Sequence, residues 1–163
     1  MKKFVIILSL FLLSSFLYSQ SDETLDKLYE NENANTLYSA LIVLQAAGFM
    51  DEASTISDVE MFLENEKWGK VILSEGEYIS TGGFSLLVME VFNLSHGVMY
   101  NFFPNKRYAL KELMFKEYIL GSPYVNDAIT SFNVIYCIGA LPISEMINNN
   151  YQSEDDVEDS SEI

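Results

Sequence analysis

Three stretches of this sequence repeat one layout. Each opens on a capping-type residue, runs through mostly apolar side chains, and reaches a glycine twelve positions later: Thr36 to Gly48, Ser85 to Gly97 and Asp127 to Gly139. Two more apolar residues follow each glycine. Ser, Thr and Asp side chains accept hydrogen bonds from the free amides of a helix start. Glycine tolerates the left-handed backbone of a helix end. Each stretch therefore predicts a helix of about eleven residues, an ordinary length. Apolar all round, such helices need cover from other elements.

The segments between them supply that cover. Residues 57–68 place Val59, Phe62 and Leu63 at helical spacing, with Ser57 as the expected cap. Residues 105–121 place Leu110, Leu113, Met114 and Tyr118 three and four apart, with Asn105 as cap and Gly121-Ser122-Pro123 as the end. A short acidic helix over Glu23–Glu30 precedes the first apolar one, and a last short helix is expected near Pro142–Ile147. Residues 69–84 are the least helical part: Val71–Leu73 and Tyr78–Ile79 flank Glu75-Gly76-Glu77 and are expected to form a small hairpin or an ordered loop.

The fold class expected is all-α, either a solenoid-like helical-hairpin repeat or a small irregular helical bundle. The glycines stand 49 and 42 residues apart, near the period of helical-hairpin repeats. In the order of its helices, residues 36–147 resemble repeat proteins of the tetratricopeptide or HEAT kind. That resemblance implies a non-enzymatic platform for peptides or other proteins.

The two ends differ from the body. Lys2 and Lys3 precede an apolar run, Phe4–Leu17, and the small Ser19 precedes an acidic turn in composition. This is the layout of a secretory signal peptide, with cleavage expected after Ser19. The run is shorter than a bilayer span needs, and the alternative is an uncleaved anchor helix. Residues 153–163 hold six acids and no base, so a solvated acidic tail is expected there. The expected organisation is a signal peptide over 1–19, one helical domain over 20–152 and the tail over 153–163. The expected location is secreted or periplasmic. A formal charge of −15 weighs against nucleic acid and anionic surfaces as partners. One cysteine, Cys137, allows no internal disulfide, so stability falls to a core that 11 Phe and 10 Tyr help to fill.

Catalytic signals are weak. His96, the one histidine, sits at an expected helix end, where a charged ring suits the dipole. As a general base it would need a nucleophile and an orienting acid, and neither Ser95 nor Glu90 shares its face. Cys137 stands in the apolar run Val134–Ile138 and reads as a buried thiol. Gly82-Gly83 stands at a helix start, where anions can bind, but no lysine follows at phosphate-loop spacing, and a turn into the helix is expected. Asn93-Leu94-Ser95 has the form of a glycosylation sequon inside a helix. The apolar run 82–103 contains Glu90, Asn93 and His96, which argue for a buried helix rather than a membrane span. No catalytic residue, metal ligand or cofactor is assigned.

The remaining candidate is basic. Lys106, Arg107, Lys111 and Lys116 carry four of the positive charges on one expected helix, and Arg107 and Lys111 share a face. They either pair with nearby acids such as Glu112 and Glu117 or form a docking surface for an acidic partner, the chain's own tail or lipid phosphates. The function expected is a secreted or periplasmic interaction or scaffold protein binding another envelope protein or peptide. The alternatives are a small envelope enzyme or ligand-binding protein with a site near His96, and a peripheral membrane-associated protein.

Overall fold

The structure is a computed structural model and describes residues 20–94 and 98–143. Residues 1–19, expected as a signal peptide, Ser95, His96 and Gly97, the expected last short helix beyond Ile143 and the expected acidic tail lie outside the described residues. Eight helices and no strands are found among those described, so the chain is mostly helical. They are α1 (Gln20–Tyr29), α2 (Thr36–Ala46), α3 (Ile56–Asn65), α4 (Gly69–Leu73), α5 (Thr81–Val91), α6 (Val98–Phe102), α7 (Lys106–Phe115) and α8 (Ser131–Ala140). The most deeply buried is α5, with ten of its eleven residues in the core. It packs on α7 and α2, while α2 also meets α3, α1 and α8.

The centre of the molecule is a ring of backbone hydrogen bonds rather than a sheet. The Ala34 amide donates to the Ile129 carbonyl at 2.8 Å, the Ile129 amide to Ile79 at 3.0 Å, and the Ile79 amide to Ala34 at 3.1 Å. A second tier links the same three segments in the opposite direction. Thr36 donates to Glu77, Thr81 to Asp127 and Ser131 to Glu32, at 2.9, 2.7 and 3.1 Å. Ala34, Ile79 and Ile129 are buried on the axis. Buried amides and carbonyls must find partners, and here each extended segment satisfies the next. Directly after the ring every segment turns into a helix. Asn35, Ser80 and Thr130 are the caps of α2, α5 and α8, and each side chain accepts from an amide in the first turn. The local sequences match: Asn31-Glu32-Asn33-Ala34-Asn35-Thr36, Gly76-Glu77-Tyr78-Ile79-Ser80-Thr81 and Asn126-Asp127-Ala128-Ile129-Thr130-Ser131.

Several sequence expectations are corrected. The caps are not Thr36, Ser85 and Asp127 but Asn35, Ser80 and Thr130, so the helix entries stand 45 and 50 residues apart. Gly48 does end α2, at φ +80°, with the Phe49 amide closing back on the Leu44 carbonyl. The equivalent end of α5 falls at Asn93, φ +49°, where the Leu94 amide reaches Met89. Gly139 lies inside α8 rather than after it. Helix α7 stops at Phe115, with Glu117 at φ +60° in the left-handed position, before Gly121 is reached. Thr55, not Ser57, caps α3 in a reciprocal box with Asp58. The expected hairpin near residues 70–80 does not form. Val71–Leu73 belong to α4, and Tyr78–Ser80 turn away to complete the ring with Asn35 and Ala128.

Candidate partner-binding groove

Asn105 places the basic residues. Its side-chain oxygen accepts from the Arg107 and Tyr108 amides at 3.0 and 3.2 Å and starts α7. The helix then buries Ala109, Leu110 and Leu113 against α5 and sends the intervening charges outward. The four cations are not equivalent. Lys106 is drawn inward to the Glu75 carboxylate, whose side chain is only 7% exposed. Lys116 lies 3.9 Å from Glu112, one turn back along α7. Lys111 rests over the Tyr108 ring, 6.0 Å from its centroid. Arg107 and Lys111 make no ion pair with any described residue.

Glu75 explains the glycine pair. Its carboxylate accepts from the Ser80 amide at 3.0 Å and lies against Gly83 in the first turn of α5. A Cβ at Gly83 would sit 2.7 Å from Glu75 Oε1. The helix start thus holds an anion, and the anion is the chain's own. Burial pushes the Glu75 carboxyl up, but hydrogen bonds from Lys106 and Ser80 and the Lys106 charge outweigh it, leaving the group below the usual range. Gly82 serves packing: a Cβ there would meet the Val125 side chain at 2.4 Å and the Val125 carbonyl at 2.7 Å.

That close approach builds the groove. The Gly82 amide donates to the Val125 carbonyl at 2.9 Å, and Asp127 ties the loop through its Oδ2 to the Tyr124 amide at 3.1 Å. Segment 123–126 is so held beside α7 and forms the second wall of a groove of about 470 Å³. Leu110, Met114, Pro123 and Val125 make the lining apolar, while Arg107 and Lys111 stand at its side. Tyr124 is 79% exposed at the edge. The apolar character extends along α7: the Phe103 ring, itself exposed, lies 6.4 Å from Tyr108, beneath Lys111. An apolar trough beside two cations that no described carboxylate pairs suits an anionic group carrying an aliphatic or aromatic anchor.

The basic half of this groove is visible in the sequence; its wall is not. Beyond Pro123, taken with Gly121 and Ser122 as a helix end, nothing in the sequence singles out residues 124–126, and only the Gly82–Val125 approach brings them to α7. The other candidates offer less. Tyr100, nearly buried, donates to Glu90 Oε1 at 2.6 Å; burial and that carboxylate push the phenol well above its usual range. The one charge in the apolar run is thereby tied to a structural bond. Burial pushes the Cys137 thiol up to about 12, far from a reactive thiolate. Among the described residues no group of three metal-ligating side chains converges, and no helix is long and apolar enough to cross a membrane. No family model, no curated protein and no solved structure matches this chain.

Proposed function

We propose that this chain is a secreted or periplasmic interaction protein whose groove between α7 and residues 123–126 docks an acidic segment of another envelope protein or peptide. The observation carrying this reading is the uncompensated pair Arg107 and Lys111 beside the apolar lining of Leu110 and Met114. In a body with so many carboxylates, two cations with no ion pair to any described residue, next to apolar surface, suit an anion from outside the described body. Export rests on the signal-like pattern of residues 1–19. The helical platform is best read as the irregular bundle rather than an open solenoid. Three helix-led units close around the ring, supported by the hydrogen-bond register they share. In this scheme α1 precedes the first unit as α4 and α7 precede the second and third.

Fluorescence anisotropy with a labelled acidic peptide holding one central leucine tests the reading. Binding should weaken at least tenfold in Arg107→Glu/Lys111→Glu, and added salt should weaken the wild type similarly, because exposed charges are screened. Unchanged melting in that variant would show that the charges serve binding rather than stability. Binding to anionic vesicles with none to the peptide would replace this reading with the peripheral membrane one.

A further inference from the structure

We propose that the acidic segment 153–163 of this same chain occupies the groove, seating Val157 on Leu110 and Met114 and its neighbouring carboxylates on Arg107 and Lys111. The proposal rests on the docking reading above and names the groove's resident competitor.

Three observations support it. The first is charge. Residues 153–163 hold six acids and no base, and the unpaired cations among the described residues of α7 are the two at the groove. Lys106 and Lys116 already have carboxylates, so an acidic segment gains most at Arg107 and Lys111. The second is composition. Asp156 and Glu158 flank Val157, giving one aliphatic side chain between anions, which matches an apolar trough beside cations. The third is length. The described chain ends at Ile143, packed against the core, and fourteen Cα–Cα steps separate it from Val157. That stretch spans up to roughly 48 Å when extended. A body of this size is about 35 Å across. The path half-way round such a body is about 55 Å, so the tether reaches most of the surface short of the point opposite Ile143, and tethering gives an effective concentration on the order of millimolar. A contact too weak to hold a free peptide can still fill the groove in this way. A partner must then displace the tail, and its apparent affinity falls by the fraction of open groove.

The test compares the 15N-labelled full chain with a variant ended after Gln152. Amide signals of residues 107–114 and 124–126 should differ between the two. In the full chain, Arg107→Glu/Lys111→Glu should release the tail, so that 153–163 signals match those of a free peptide. A synthetic 153–163 peptide added to the truncated chain should move the groove signals back toward their full-chain positions. The leucine-centred acidic peptide should bind the truncated chain about tenfold more tightly than the full chain. Groove signals that superpose in the two chains overturn self-docking, and the partner reading then stands or falls on the anisotropy alone. Signals that revert on dilution show the tail of a second copy in the groove and overturn the intramolecular form.

Discussion

Glu75 shows how one residue ties three parts of the chain together. Its carboxylate neutralises Lys106 on α7, accepts from Ser80 at the start of α5, and fills the space that Gly83 leaves. A carboxyl with a depressed folded-state pKa adds stability that is fully present above its unfolded value. That stability is lost as pH falls through the lower folded value. Glu75→Gln should therefore cost about 1–2 kcal/mol at neutral pH. In urea melts, the gap from wild type should hold down to the ordinary glutamate pKa of 4.5 and close below it. A gap that widens in acid would contradict the ion pair. The glycines make a second residue-scale contrast. Gly82→Ala and Gly139→Ala both replace a helical glycine and should both stabilise by about 1 kcal/mol on propensity alone. At Gly139 no described atom lies within 4 Å of the new Cβ, so that gain should appear as a higher melting temperature. At Gly82 the Val125 carbonyl is 2.7 Å away and backbone must move, so the same change should destabilise by about 2 kcal/mol.

At the scale of elements, one helix start and one stop are legible in the sequence, Asn105 before α7 and Gly48 after α2. Asn105 is readable as a cap because its side chain acts within its own first turn. The other stops mislead because glycine is not the sole left-handed residue here. Asn93 and Glu117 take positive φ at the ends of α5 and α7, and neither advertises it. Glu117 holds that conformation at a steric cost, so Glu117→Gly should raise stability by about 1 kcal/mol, read from thermal melts. No rise would mean that the Glu117 side chain contributes as much as its backbone loses. The ring hides for another reason. Its hydrogen bonds join single residues far apart in sequence, and no periodicity marks such pairings. Only the matching hexapeptides ending at Thr36, Thr81 and Ser131 betray it, and an alignment on glycines passes them by. The same holds for the groove: the charges of α7 lie in one short segment, but its second wall depends on a contact between Gly82 and Val125, distant in sequence.

Across the whole molecule the ring makes three distant segments one cooperative unit. The amides of Ala34, Ile79 and Ile129 each depend on a carbonyl from another segment. They should exchange with solvent deuterium at a common rate, set by global unfolding rather than by local opening. Faster exchange at Ala34 alone would show that the N-terminal segment opens independently. Cys137, fully buried on α8, gives a chemical counterpart: its alkylation should track the same unfolding event. Ser131 reinforces the closure, its hydroxyl donating to the Leu28 and Asn31 carbonyls at 2.6 and 3.1 Å. The ring also imposes an order on biosynthesis. Ala34 donates to Ile129, so the first unit waits for nearly the last described residues before its buried amide is satisfied. A growing chain without residues 127–131 holds α2 and α5 with unmet backbone groups at their entrances, a poor basis for stepwise, unit-by-unit folding. Such a polypeptide stays uncommitted until residues 127–131 are made, and its folding rate is governed by the closure of long loops.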